Sequence, residues 1–100
     1  MDLKGKDVAV LGAGGSGLAA AALALGCGAS VAAFDSGDPV KLAPSVEKFA
    51  EMGVVLTTGE EALSPAKKFD LAVISPGIDE NWPLGKAFQE ASCELIGEIE

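Results

Sequence analysis

Three observations predict an α/β fold for this chain of 100 residues. Short apolar runs alternate with helix-like segments along the whole sequence, the runs are apolar throughout, and a glycine-rich turn joins the first run to the first helix. Continuous apolar strands are typical of a parallel sheet that helices cover on both faces. With right-handed crossovers, we expect one domain over residues 1–100, with a doubly wound five-stranded parallel sheet in the order 3-2-1-4-5.

Each predicted element has a local signal. The predicted strands cover 6–11, 29–34, 54–58, 70–74 and 94–99, and the predicted helices cover 16–25, 45–52 and a stretch that begins at Pro83. Gly26 and Gly28 end the first helix, because glycine adopts the conformation that follows many helix ends. Pro83 suits a first helical position, and Leu84 and Phe88 lie on one face of the helix after it.

The segment 36–44 is predicted to be a loop. It contains Gly37, Pro39 and Pro44, and both residue types interrupt regular structure. Ser45 follows as the expected N-cap of the second helix. The stretch 60–68 has the weakest pattern, and we expect one helical turn there at most.

Composition excludes several classes of function. The net charge is −8, and the chain has no histidine. Nucleic-acid binding depends on basic contacts to phosphate, so it is not expected. No apolar run approaches the roughly 20 residues of a membrane span, and no export signal is visible. We therefore expect a cytoplasmic protein without a zinc site, in which Cys27 and Cys93 are reduced.

The glycine pattern Gly12-x-Gly14-x-x-Gly17 is the strongest functional signal. It lies between a buried strand and a helix, the context in which such a pattern indicates a nucleotide site. The free N–H groups at the start of the helix favour an anion such as a diphosphate. Ser16 could contact that phosphate or cap the helix, and packing alone is the competing explanation for the glycines.

Asp35 follows the second strand, the position at which a carboxylate contacts the ligand in nucleotide-binding folds of this kind. A ribose hydroxyl and the N3–H of uracil would both donate to it, so Asp35 supports a nucleotide without naming the base. Ser75, Pro76 and Gly77 follow the fourth strand, which the predicted order places beside the first. These three residues would form the opposite lip of one crevice. No catalytic constellation is visible, and we expect binding rather than chemistry.

Together these motifs resemble the N-terminal domain of the Mur ligase family, closest to its D-glutamate-adding type. The resemblance rests on VLGAGGSGLAAA at 10–21, AFDS at 33–36, VISPGID at 73–79, WPL at 82–84 and IGEIE at 96–100. It covers nearly the whole chain in order. It implies a Rossmann-like domain that holds the UDP part of UDP-N-acetylmuramoyl-L-alanine during peptidoglycan biosynthesis.

The resemblance also implies roles for individual residues. The residues expected to contact the UDP moiety are Gly14, Gly15, Ser16, Gly17, Asp35, Ser36, Ser75, Pro76 and Gly77. ATP and magnesium would bind in a central domain outside these residues. The chain would then be a monomeric fragment that is inactive in ligation by itself.

Two residues depart from the family pattern, and two other functions stay open. Gly15 stands where a lysine or leucine is common, and Gly37 stands where an arginine is frequent. The first alternative is the NAD(P)-binding half of an oxidoreductase, which the glycine pattern and Asp35 would also fit. The second is a nucleotide-sensing regulatory module, which would form an extended multimer interface.

Overall fold

The described residues form an α/β fold, as the sequence predicts. A computed structural model describes residues 3–64, 68–74, 83–90 and 94–96. The strands are β1 (Asp7–Leu11), β2 (Ser30–Asp35), β3 (Val55–Thr58), β4 (Leu71–Ile74) and β5 (Glu94–Ile96); the helices are α1 (Gly15–Gly26), α2 (Pro39–Glu51) and α3 (Pro83–Glu90); and Gly59–Leu63 form a 3₁₀ turn. Within the described part of the chain, no helix is long and apolar enough to span a bilayer. Cys27 is a free, half-buried cysteine, and Cys93 lies outside the described residues.

The strands form a parallel sheet with the spatial order β3-β2-β1-β4-β5. β1 lies at the centre, and its last residue, Leu11, is paired with Phe34 of β2 and Ile74 of β4. β5 is the shortest strand and is paired with β4 over three residues. Because these strands are parallel, their carboxyl ends meet at one edge of the sheet, where ligands of such folds bind.

Helices cover both faces of the sheet because β1 is apolar on both sides. Val8 and Val10 face α1 and α2, where Val10 shares an apolar cluster with Phe49 of α2. Ala9 and Leu11 face the 3₁₀ turn and α3. All four of these β1 side chains are fully buried. The uninterrupted apolar run in the sequence therefore reflects burial on two faces.

Three phenylalanines fill the α3 side of the core. The rings of Phe34 and Phe88 lie 4.9 Å apart at 61°, and those of Phe34 and Phe69 lie 5.5 Å apart at 79°. These are edge-to-face arrangements, in which the positive edge of one ring meets the negative face of another. Since Phe34 precedes Asp35 directly, this cluster fixes the end of β2 against α3.

Helices α1 and α2 end in the same hydrogen-bonded motif. After α1, the N–H of Ala29 donates to the carbonyl of Ala24 and that of Gly28 to Leu25; after α2, Val54 donates to Phe49 and Gly53 to Ala50. This is the Schellman arrangement, and it needs a left-handed residue, supplied by Gly28 (φ +93°) and Gly53 (φ +82°). The motif turns each helix directly into the strand that follows it.

The predicted loop over 36–44 is wrong beyond residue 38. α2 begins at Pro39, and Asp38 is its N-cap: the Asp38 carboxylate accepts from the Val40 N–H at 2.9 Å. Ser45 therefore lies inside the helix and does not cap it. Pro44 cannot donate to the carbonyl of Val40. That carbonyl lies in an exposed turn where water can bind it (Val40 is 81% exposed), so the proline is tolerated.

Replacing Pro44 by alanine should stabilise the protein. Proline inside a helix costs about 3 kcal/mol, so its replacement by alanine stabilises the folded state. Part of this gain is lost because alanine makes the unfolded chain more flexible. We expect P44A to raise the free energy of unfolding by about 1–2 kcal/mol in chemical denaturation. P39A is the control, since proline is favoured at the first helical position, and it should give no gain. Equal stabilisation by both variants would contradict this account of α2.

Candidate functional site

The glycine turn leads from β1 to α1 within three residues. Gly12 has a φ of +118°, which strongly favours glycine, and its N–H donates to the carbonyl of Phe34 at 2.8 Å. Gly14 is the N-cap of α1 with extended backbone, and Leu18 donates to its carbonyl at 3.0 Å. The predicted strand, turn and helix are therefore confirmed, and the turn lies at the carboxyl edge of the sheet.

The start of α1 has the features of an anion site. Gly14 offers no side-chain capping bond, and the first turn has no acidic residue. The N–H groups of the first turn have no acceptor within the helix, and the helix dipole adds partial positive charge there. Gly14, Gly15 and Ser16 are exposed. Because Gly14 occupies the N-cap position, the alternative that Ser16 caps the helix is wrong.

Internal packing does not explain the glycines at 14 and 15. A Cβ atom added at either position would meet no heavy atom of the described residues within 4 Å. Gly17 is buried and lies on the side of α1 that faces the sheet. Gly17 therefore serves packing, whereas Gly14 and Gly15 leave open space in front of the helix. That space is where a phosphate could approach the backbone closely.

Asp35 connects the two loops that border this space. Its carboxylate accepts the N–H of Ala13 at 3.0 Å through Oδ2 and the N–H of Gly37 at 2.9 Å through Oδ1. The sequence predicted Asp35 as a ligand contact and missed both of these bonds. The bond to Gly37 is an Asx turn, which the pattern Asp-Ser-Gly could have indicated. The bond to Ala13 joins residues 22 positions apart and has no local signal.

Ser36 is one of the residues that line a shallow depression at the loop after β2. The depression has a volume of about 540 Å³ and is lined by 36–39 and 58–61. The N–H of Gly59 donates to the carbonyl of Gly37 at 3.2 Å and ties its two sides together. Asp38, Glu60 and Glu61 are exposed there. Like charges repel, so this acidic depression is unsuited to a diphosphate.

The structure brings part of the predicted site together. Gly14, Gly15, Ser16 and Asp35 border the same edge of the sheet. β4 reaches that edge at Ile74, beside Leu11. Ser75, Pro76 and Gly77 lie outside the described residues, so their predicted role as the opposite lip stays a prediction. Among the side chains that the structure describes, no group of three or more metal-binding residues is present.

Gly37 is closely fitted to Asp35. A Cβ atom at position 37 would lie 3.1 Å from Oδ1 of Asp35 and 3.4 Å from Cδ1 of Leu42. A larger residue there would have to displace one of them. At Gly15, by contrast, space is available for the larger residue that the family resemblance leads us to expect. The departure at Gly37 therefore affects the loop beside the carboxylate, whereas the departure at Gly15 is sterically neutral.

Curated relatives match the chain over its whole length. It is 36% identical over 100 residues to the UDP-N-acetylmuramoylalanine–D-glutamate ligase of Desulfatibacillum aliphaticivorans, with 100% of this chain and 22% of that protein covered. It is 43% identical over 100 residues to the enzyme of the same name from Limosilactobacillus fermentum, with 99% and 22% covered. The chain thus spans about a fifth of the length of these relatives. No protein-family model matches it.

A solved structure confirms the fold class. Shikimate dehydrogenase from Aquifex aeolicus superposes with a TM-score of 0.54 over 94% of this chain and 42% of its own, at 18% identity. At that identity the likeness concerns the fold alone. It confirms a Rossmann-like α/β arrangement and does not favour one ligand over another.

Glycine substitutions should separate packing from ligand access. We expect G14A and G15A to change the free energy of unfolding by less than about 1 kcal/mol, because the added methyl groups enter open space. G12A should lower it by about 1–3 kcal/mol, since alanine is strained at a positive φ. Thermal and chemical denaturation of the three variants measure this. A large loss in G14A would show that packing explains that glycine.

Proposed function

Because the chain is homologous to the N-terminal part of the UDP-N-acetylmuramoylalanine–D-glutamate ligases, we propose that it binds the UDP moiety of UDP-N-acetylmuramoyl-L-alanine. The observation that carries this proposal is the uncapped, exposed start of α1 behind Gly14 and Gly15. Backbone N–H groups are suited to the diphosphate in a chain whose net charge is −8.

Each part of the ligand has a counterpart in the proposed site. The diphosphate accepts hydrogen bonds from the first N–H groups of α1, where Ser16 adds an exposed hydroxyl. The uracil lies toward Asp35 and Ser36, whose oxygens can accept its N3–H. Gly17 holds α1 close to the sheet, so that the helix start lies at the sheet edge. Ser75, Pro76 and Gly77 complete the proposal as the opposite lip.

In this proposal the chain contributes binding to a longer ATP-dependent ligase of peptidoglycan biosynthesis. The name of the relatives implies that the carboxyl group of the muramoyl-alanine substrate is joined to the amine of D-glutamate. ATP and magnesium, bound by residues outside this chain, would activate that carboxyl group. The residues described here hold and orient the nucleotide end of the substrate. The cytoplasmic location and the monomeric state stay predictions of the sequence.

Isothermal titration calorimetry with UDP-N-acetylmuramoyl-L-alanine tests the proposal. We expect the chain to bind this ligand, and G14A to weaken binding at least about tenfold, because a methyl group would occupy the space that the diphosphate needs. G26A is the matched control: it lies in the same helix, and its Cβ would also enter open space. It should bind as the unmodified chain does.

Competition with NAD distinguishes the proposal from the oxidoreductase alternative. NAD also contains a diphosphate, and Asp35 could accept from its ribose, so the glycine turn alone does not exclude it. We expect millimolar NAD to leave the affinity for UDP-N-acetylmuramoyl-L-alanine unchanged. Binding of NAD without binding of UDP-N-acetylmuramoyl-L-alanine would overturn the proposal. Equal affinities of G14A and G26A for UDP-N-acetylmuramoyl-L-alanine would overturn it as well.

A further inference from the structure

We propose that Asp35 is a positioning residue that holds the glycine turn and the loop after β2 in the arrangement a ligand meets. This inference rests on the proposed function, because it concerns the same nucleotide site. Its basis is the pair of internal hydrogen bonds from Ala13 and Gly37 to the two oxygens of one half-buried carboxylate. Asp35 thus acts on the diphosphate through Ala13 as well as on the base or ribose.

The carboxylate group suits this role because it accepts hydrogen bonds at both oxygens. Oδ2 binds the N–H of Ala13 in the glycine turn, and Oδ1 binds the N–H of Gly37. Each oxygen has a second lone-pair site and can still accept from a ligand. An amide side chain of the same shape has one acceptor oxygen, so asparagine can keep only one of the two internal bonds.

The two hydrogen bonds that Asp35 accepts, here called the tether, belong to a longer series of hydrogen bonds along the edge of the sheet. Gly12 donates to the carbonyl of Phe34, and Gly59 donates to the carbonyl of Gly37. Between these two bonds, Asp35 supplies the links to Ala13 and Gly37. The ends of β1, β2 and β3 are thereby joined by two backbone–backbone bonds and by two bonds to the Asp35 carboxylate.

The glycine turn needs such a tether because Gly14 and Gly15 supply little restraint of their own. Gly14 and Gly15 are exposed and make no side-chain contacts, and glycine has the largest backbone freedom of any residue. A turn that is ordered only by the ligand would lose affinity through the entropy of ordering. The bond from Ala13 orders the turn beforehand, since Ala13 directly precedes Gly14.

The test compares D35N with D38N, in the 100-residue chain. Both variants replace an aspartate by its isosteric amide and remove one negative charge. Asp38 makes a local bond to Val40, and asparagine is an equally good N-cap. The first readout is hydrogen exchange of the Ala13 and Gly37 amides without ligand. We expect at least one of them to exchange about tenfold faster or more in D35N, and neither to change in D38N.

The second readout is the affinity for inorganic pyrophosphate and for UDP, measured by amide chemical-shift titration. Pyrophosphate has no base or ribose, so a residue that contacts only those groups cannot affect its binding. We expect D35N to bind pyrophosphate about 3- to 10-fold more weakly than D38N does, and UDP by that factor or more, because UDP also loses the contact of its base or ribose with Asp35. Comparison with D38N cancels the effect of removing a negative charge near an anion.

Three results decide the matter. Unchanged exchange of both amides in D35N would overturn the inference. Weaker binding of UDP with pyrophosphate affinity equal to that of D38N would overturn it too, because Asp35 would then act on the base or ribose alone. If the unmodified chain bound neither ligand, the proposed function would fail, and the exchange of Ala13 and Gly37 alone would decide whether Asp35 orders the turn.

Discussion

The parallel register of β1 with its two neighbours is the constraint on which the rest of the site depends. It pairs Leu11 with both Phe34 and Ile74, so that β1 and β4 end at one level of the sheet and β2 ends one residue beyond it. Close packing on both faces of β1 maintains this register, because a shift of one residue would exchange the side chains that face α1 and α2 with those that face α3. The glycine turn and Asp35 follow Leu11 and Phe34 directly and are therefore adjacent.

The site combines open space with internal restraint. The start of α1 is uncapped, and the glycines before it leave room for a ligand. The same turn is held by the N–H of Gly12 on Phe34 and by that of Ala13 on Asp35. Phe69 and Phe88 in turn hold the ring of Phe34 in place. Core packing is thus connected to the geometry of the proposed diphosphate site through one backbone hydrogen bond, from Gly12 to Phe34, and one bond from the backbone of Ala13 to the side chain of Asp35.

Sequence reasoning predicted the features that have local causes. The strand, turn and helix around Gly12 follow from apolar pattern and glycine placement alone. The start of α2 is harder to predict, because Gly37, Pro39 and Pro44 together favour a loop, although aspartate at 38 followed by proline is also a typical start signal. The tether from Asp35 to Ala13 was missed for a different reason: it joins residues that only the fold brings together.

The most direct test of the central claim is a map of amide chemical shifts with UDP and NAD added separately to the labelled chain. We expect UDP to shift the signals of 13–17 and of 35–37, and NAD to leave them unchanged. Shifts confined to the acidic depression at 58–61, or a response to NAD alone, would contradict the assignment of the glycine turn to a uridine diphosphate.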